Sequence, residues 1–476
     1  MIGTPTSIGA LFLDQCEIYE EAIALAFVDK LDVKTVSYAR MRRIVEEMAG
    51  GLAGHGLSAG KRVLIVGSNT PEWIFSYFAV QLCGGVDVAV NPEISRSTIL
   101  TSVRRLRIDL AIVEDPDLAD QLERARVRCY RMNWKHDRSR NLSTLKKGFR
   151  LFGPGFRRRS LNDVASILFK NRDPELRAPG GIVLKHKAIL ANLDAFGSTL
   201  PTLENDRLLL RLPLWHSSGR LGLLTALSKG CELQLSRDDF VQDCKRMQPT
   251  VAMARPETLA DLYMRAAQGR DSSGVISTLL LRGYMWFGIQ SMRLLGNLTG
   301  QKAVFKAAER PTLLDLFLDV SLLIVFLPFK MLGDALFGAR LRQSLGGNLK
   351  SVLTGGGPIP ERIDLFLSML GISMLAGYWK TEAAHVISSR ILEYTGQRSR
   401  LQPGTVGPPL PGAEIKIVQA GQDVSHTPGA IGEIMIRGDF LFSGYLDPAQ
   451  ASVDSSGWFY TEDRGCLSDQ GELRIV

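Results

Sequence analysis

Few side chains in this chain stand at spacings that could do chemistry unaided, and they gather late in the sequence. Thr354-Gly355-Gly356-Gly357-Pro358 follows an apolar run. Glycines after a strand let a flat ligand approach the backbone closely, although such a turn taken alone is more often only a turn. Gly377-Tyr378-Trp379-Lys380-Thr381-Glu382 puts aromatic rings, a cation, a hydroxyl and a carboxylate in succession. Asp463 closes a second aromatic and hydroxyl-bearing stretch, Gly457-Trp458-Phe459-Tyr460-Thr461-Glu462-Asp463. His216 stands alone after Leu212-Pro213-Leu214-Trp215, and a lone histidine beside a strand is commonly a satisfied core residue. No Ser-His-Asp constellation or paired-carboxylate site is visible. Cys16, Cys83, Cys129, Cys231, Cys244 and Cys466 lie far apart, with no C-x-x-C pair and no His/Cys cluster at zinc spacing. Scattered free thiols fit a reducing compartment.

The elements that must carry these residues alternate. Ser37-Tyr38 opens a helix in which Met41, Ile44, Val45, Met48 and Leu52 recur at helical spacing. Arg62 to Val66 reads as a buried strand, Pro71 to Leu82 as a helix with proline near its start, and Val86 to Val90 as another strand. Asp87 inside that strand counts against its full burial. Alternation of this kind predicts mostly parallel sheets covered by helices. From about Gly404 the pattern changes: Ala413 to Val418 and Gly432 to Gly438 alternate apolar and polar between glycines and prolines. That is the signature of a small antiparallel β region.

The bulk composition is that of a globular protein. The chain has 476 residues, 45% hydrophobic and 22% charged, with 46 glycines, enough for two or three subdomains around a large core. A formal charge of +8 admits a nucleotide, CoA or an acidic lipid surface as partner, and equally a solvated basic surface. Residues 130–160 interleave many arginines and lysines with Trp134, Phe149, Phe152 and Phe156, a pattern that can lie on an anionic membrane or form a solvated loop. No nucleic-acid-binding module accompanies it, so no nucleic acid is expected. Residues 313–332 are the most apolar window, but Asp315, Asp319 and Lys330 flank an uncharged run from Val320 to Phe329 and Pro328 interrupts it. A spanning helix needs roughly 20 apolar residues, so a buried helix is expected here, with an interfacial helix as the second reading. Met1 to Leu11 lacks the basic start and apolar core of a signal peptide. The expected location is cytoplasmic, with membrane-surface association as an option.

Taken in order, these motifs resemble those of the AMP-forming acyl-CoA synthetases, especially the long-chain fatty acyl type. Leu212 to His216 with Gly219-Arg220 is similar to that family's "P-L-x-H" segment, and Thr354 to Pro358 to its "S-G-G-A-P". Gly377 to Glu382 resembles "G-Y-G-x-T-E". Gly432-Glu433-Ile434 with Gly438 and Gly444-Tyr445-Leu446, then Gly457 to Asp463, resemble "G-E-I…G…G-Y" and "G-W-x-x-T-G-D". The resemblance implies two α/β subdomains over residues 1–403 and a small β-barrel-like subdomain over 404–476. It implies ATP or AMP as nucleotide, Mg²⁺, CoA as co-substrate and a fatty or other carboxylic acid. By resemblance Gly355, Gly356 and Gly357 pack on adenine and Tyr378 stacks on it. Thr381 touches the phosphate, Glu382 holds Mg²⁺ as a hard carboxylate should, His216 lines the acyl and nucleotide pocket, and Asp463 accepts from the ribose hydroxyls. His216, Gly356, Tyr378, Thr381, Glu382 and Asp463 are expected to converge on one cleft.

Four departures bear on activity. Trp379 stands where the long-chain family has a glycine that opens its acyl tunnel, and so argues against a long tail in the usual position. Glu462 replaces a family glycine beside Asp463. The family's "T-S-G-T-T-G-x-P-K-G" phosphate loop is replaced by Lys170 to Gly180, which contains no Ser or Thr, and Asp173 and Glu175 there would repel a triphosphate. The chain ends where the family's C-terminal lid would begin, so the lid is expected to be absent or supplied by a separate polypeptide. Two readings stay open: a ligase impaired alone, and a pseudoenzyme that binds nucleotide, acyl group or a protein partner at a membrane surface.

Overall fold

Buried apolar strands alternating with helices build two parallel-rich sheets and one antiparallel sheet in the structure, a computed structural model that describes residues 5–30, 32–132, 159–169, 181–200, 205–236, 239–269, 275–300, 303–306, 309–390, 403–447 and 453–476. Most of the basic 130–160 segment and the whole 170–180 stretch lie outside the described residues. The larger sheet has eight strands. From edge to edge they are His385–Ser389, Ser373–Lys380, Ser351–Gly355, Val251–Met253, Arg207–Leu210, Glu232–Leu235, Ile23–Asp29 and Asp32–Ser37. Only the two outermost pairings are antiparallel. The second sheet has six strands, with parallel pairing among all but Ile182–Lys185 at its edge. These sheets confirm the α/β architecture. The third runs antiparallel through residues 414–475 in five strands. Among the described residues its strand order runs from Gln422–Asp423 at one edge to Leu473–Ile475 at the other.

Local chemistry sets the element ends. The Tyr38–Gly54 helix starts where the Ser37 side chain accepts from the Arg40 backbone N–H, which satisfies one orphan donor of the first turn. Thr70 does the same for Pro71–Leu82 through the Trp73 N–H, with proline at the position where no N–H is needed.

Asp87 overturns the doubt about its strand: Val86–Val90 is buried throughout, and Asp87 is fully buried. The cost of burying a carboxylate is met by a network. Arg220 donates to Asp87 and, at 2.9 Å, to Ser166. Asp87 also accepts from Gln81 Nε2 at 2.9 Å and from the Ser166 hydroxyl at 2.5 Å. The Arg220 guanidinium also lies 4.9 Å from the Tyr77 ring centroid. Since Arg220 belongs to the Ser217–Lys229 helix beside the large sheet and Asp87 to the six-stranded sheet, the pair ties the two layers together. A second buried pair, Arg390 with Asp364, anchors the edge of the large sheet, and Arg390 also donates to the Thr405 carbonyl.

The apolar 313–332 window contradicts the buried-helix expectation. It forms one helix, Leu313–Gly333, in which only Gly333 is buried. The helical run Leu313–Ser344 is long and apolar enough to cross a membrane by length and composition. The charges at 315, 319 and 330 do not interrupt it because each is absorbed locally: Asp315 in a capping box with Thr312, Asp319 by Asn297 at 3.1 Å, and Lys330 by Asp334 at 2.5 Å. None of the six cysteines is in a disulfide, and all six are buried.

Candidate functional site

Both glycine-bearing strands of the motif end side by side. Ser351–Gly355 and Ser373–Lys380 pair in parallel, with Gly355 opposite Gly377. Beyond them opens a cavity of about 510 Å³ at the carboxyl ends of these strands, where open α/β sheets place their ligands. Gly356, Gly357, Tyr378, Trp379, Lys380 and Asp463 contribute to its wall. Gly356 has φ +78°, and a Cβ there would meet nothing within 4 Å. Its glycine serves the left-handed turn and leaves the wall flat toward the cavity.

Asp463 reaches the cavity from the third sheet, on the Phe459–Leu467 strand. Its carboxylate accepts from the Tyr378 hydroxyl and faces Lys380 Nζ at 2.9 Å. Lys380 also donates to the Thr461 carbonyl at 2.5 Å. Burial and the Asp463 charge push the Tyr378 phenol up, so it remains a donor. A local irregularity presents Asp463: the pairing shifts register between Glu433 and Met435, and Glu462 sits at φ +65°. That left-handed conformation favours glycine, which explains why the resembling family carries glycine here. The exposed Glu462 side chain costs backbone strain rather than space.

Thr381 and Glu382 follow at the strand end but turn away from this wall. Both are buried. Glu382 Oε1 accepts from the Tyr445 hydroxyl at 2.8 Å, and its backbone carbonyl accepts from the Phe442 N–H. The metal-ligating carboxylate expected there is therefore not presented to the cavity, and among the described residues no group of three His, Cys, Asp or Glu side chains could hold a metal ion. Thr381 Oγ1 lies 3.4 Å from Ser217 Oγ, which in turn lies 3.1 Å from His385 Nδ1.

His216 is a helix cap. Its Nδ1 accepts from the Ser218 N–H at 3.3 Å, at the start of the Ser217–Lys229 helix. An accepting Nδ1 requires the neutral ring, and burial with Arg255 and Arg220 nearby lowers its pKa to about 4. It does not line the cavity, so the six residues expected to converge split into two groups. Gly356, Tyr378 and Asp463 share the cavity. Thr381, Glu382 and His216 lie behind it, joined in part through Ser217 and His385.

Trp379 separates the two groups. Its ring packs against His385 at 4.5 Å between centroids. A Cβ on Gly355 would come within 2.5 Å of it, and one on Gly377 would also collide with it. The indole thus occupies the space that these two glycines leave. Trp379 Nε1, His385 Nε2 and Thr354 Oγ1 are buried without hydrogen-bond partners, an unusual concentration for a protein interior. Burial drives the His385 pKa well below its ordinary value. With no acid on its Nε2, His385 does not make Ser217 a nucleophile. Lys380, Tyr445 and His385 escaped the sequence reading. Lys380 and Tyr445 lay within the quoted motifs and only their polar partners were hidden, whereas nothing local marks His385.

Sequence and fold comparisons relate the chain to known proteins. Chloroplastic probable acyl-activating enzyme 16 of Arabidopsis thaliana is 22% identical over 98% of this chain and 68% of its own length. Long chain acyl-CoA synthetase 3 of the same plant is 23% identical over 92% of this chain and 65% of its own length. The chain thus spans about two thirds of the curated relatives it matches. The o-succinylbenzoate CoA synthetase of Bacillus subtilis, solved in complex with AMP, superposes with a TM-score of 0.68 at 19% identity, covering 98% of this chain and 77% of the other. At that identity the likeness is one of fold. The sequence pattern described as AMP-binding enzyme matches residues 12–167 and 178–446, taking in the glycine turn, Tyr378 and Glu382 but stopping short of Asp463. With most of the chain matched, the protein belongs to the AMP-binding enzyme family.

Proposed function

We propose that the 510 Å³ cavity takes an adenine nucleotide beside a carboxylic acid, and that the chain serves acid activation by adenylation followed by transfer to CoA. The observation that carries this reading is the meeting of the Gly356-Gly357 turn, Tyr378 and the Asp463 carboxylate, a hydrogen-bond acceptor, in the lining of one cavity. ATP would supply the α-phosphorus that the acid's carboxylate attacks, releasing pyrophosphate. The chain's own part is positioning and charge. Tyr378 and the glycine turn hold the base, and Asp463 accepts from ribose hydroxyls when the Tyr378 hydroxyl yields its place. Lys380, already beside Asp463, offers the cation nearest the phosphate end. Glu382 lies beneath Tyr445, so no step is assigned to a metal ion held by it.

Trp379 bears on the acid. The relatives' names speak of long-chain substrates, but here the indole fills the space over Gly355 and Gly377, which favours a short or compact acid. A second reading, nucleotide binding without turnover, draws on Asp463 being engaged by both Tyr378 and Lys380.

Parallel calorimetric titrations with AMP and with MgATP, followed by acid-dependent pyrophosphate release, separate these readings. Micromolar to low-millimolar binding lost in Asp463→Asn, together with acid-dependent release, supports activation. Binding without release supports the second reading. Absence of binding by either nucleotide defeats both.

A further inference from the structure

We infer that the helical hairpin of residues 275–333 seats this protein in one leaflet of an anionic bilayer. This inference stands apart from the chemistry at the cavity. The inner helix, Val275–Leu298, packs against the body of the protein, where Met369 fills the place a Cβ on Gly288 would take. The outer helix, Leu313–Gly333, lies antiparallel upon it: Asp319 meets Asn297, Phe326 meets Phe287, and Gly333 meets Tyr284.

Only a narrow seam of the outer helix is covered. Its less exposed positions are Ser321 and a set spaced three and four apart as a two-helix seam requires: Leu316, Asp319, Leu323, Phe326, Lys330 and Gly333. Apart from Asp315 at the helix start, the remaining circumference is hydrocarbon turned outward, with Phe317 and Ile324 each 68% exposed. A helix apolar over most of its surface belongs in a protein core or in lipid, and among the described residues no core surrounds this one. The inner helix extends the same surface through Leu279, Leu280 and Trp286.

Polar groups along the outer helix are satisfied within the hairpin. Ser321 Oγ donates to the Phe317 carbonyl at 2.9 Å, and Asp319 accepts from Asn297. Asp334 receives both Lys330 and the Tyr284 hydroxyl. A surface that keeps its donors and acceptors to itself suits hydrocarbon. Charge then selects the occupant. Exposed Lys306 and Arg310 precede the helix and exposed Arg340 and Arg342 follow it, while the exposed acid at its start, Asp315, is held in the Thr312 capping box. Cations at both ends match anionic headgroups. A second copy laid along this face in either direction would set cation against cation.

The ends also fix the depth. The turn before the outer helix is tied to the antiparallel sheet: Phe305 is buried beneath Arg474, the Asp469 N–H donates to the Val304 carbonyl, and Arg310 pairs with Asp469 at 3.0 Å. At its other end the helix runs through Ala339–Ser344 into the Ser351–Gly355 strand of the large sheet. With both ends held on the same body, the helix lies along one leaflet instead of crossing the bilayer.

The test is vesicle flotation of the full chain with phosphatidylcholine alone and with phosphatidylcholine mixed with phosphatidylglycerol. The protein should float with the mixed vesicles and lose on the order of tenfold or more of its binding in the outward-facing variant Phe317→Glu/Ile324→Glu. An Ile18→Glu control, outside the hairpin, should bind as the parent does. A parent that fails to float and elutes as a dimer that the double variant dissolves would assign the face to a second copy. Floating unaffected by the double variant would place the membrane contact elsewhere, and protease protection of residues 303–310 inside sealed vesicles would mean a crossing helix. Each of these outcomes overturns the proposal.

Discussion

The Asp87–Arg220 network and the outer hairpin helix treat water in opposite ways. At the first, two formal charges are fully or almost fully buried and each is met by named partners. At the second, large apolar side chains stand in the open while the few polar ones pair among themselves. The difference teaches where each region's energetics reside: in the fit of a small number of polar partners in one, and in whatever solvent surrounds it in the other. Substitutions should therefore be costly in the network under all conditions, and nearly silent on the hairpin until lipid is supplied.

The largest effect should come from Arg220→Met, which leaves Asp87 buried with its cation gone. Denaturant titration should show a loss of about 3–5 kcal/mol, and adding Asp87→Leu should restore much of it. If Arg220→Met is mild, the network is not what joins the two sheets.

Acid sharpens the same contrast. His186 is 2% exposed, with its Nδ1 accepting from the Ile8 N–H at 3.3 Å, and burial lowers its pKa to about 4. His216 is lowered to about 4 as well, and burial also drives His385 well below its ordinary value. Between the ordinary value of 6.5 and about 4, the unfolded chain takes up protons that the folded chain refuses. Stability therefore falls as pH drops through that window, by up to about 1.4 kcal/mol per pH unit for each histidine. Thermal melts between pH 7 and pH 4 read this, and His186→Gln should flatten the slope.

Glu462→Gly should raise stability by about 1 kcal/mol by relieving a left-handed backbone, measured as a higher denaturant midpoint. Trp379→Gly should move acid preference toward longer tails, by about 0.8 kcal/mol for each added methylene, read as tighter calorimetric binding along a series of straight-chain acids. Smallest is Ile324→Ser on the hairpin, expected to shift stability in lipid-free buffer by less than about 0.5 kcal/mol. A larger change would mean that protein, not lipid, covers that face.

Local signals in the sequence were read well. The Pro71–Leu82 helix was placed at both ends, with its start marked by the proline itself. The parallel sheets followed from alternation, and the cavity's glycine turn, Tyr378 and Asp463 from motif order. What failed was not local. Arg220 lies 133 positions from Asp87, so nothing beside the aspartate announces its partner. The exposed helix was misjudged because an apolar stretch looks the same whether protein or lipid is to surround it. Glu382 and His216 were read as cavity groups because motif spacing orders residues along the chain, while the direction of a side chain depends on Tyr445 and on the helix that His216 caps.

The six cysteines carry a practical consequence. Every one is buried, and burial pushes the Cys83, Cys129 and Cys244 thiols up to about 12, so the reactive thiolate is scarce in the native state. An alkylating reagent can then act only when the surrounding layer opens. Cys16 lies on the first helix, Cys129 in the six-stranded sheet and Cys466 in the antiparallel sheet. The chain thus holds a separate clock in each of three layers, and mass spectrometry of timed labelling would rank the order in which they breathe.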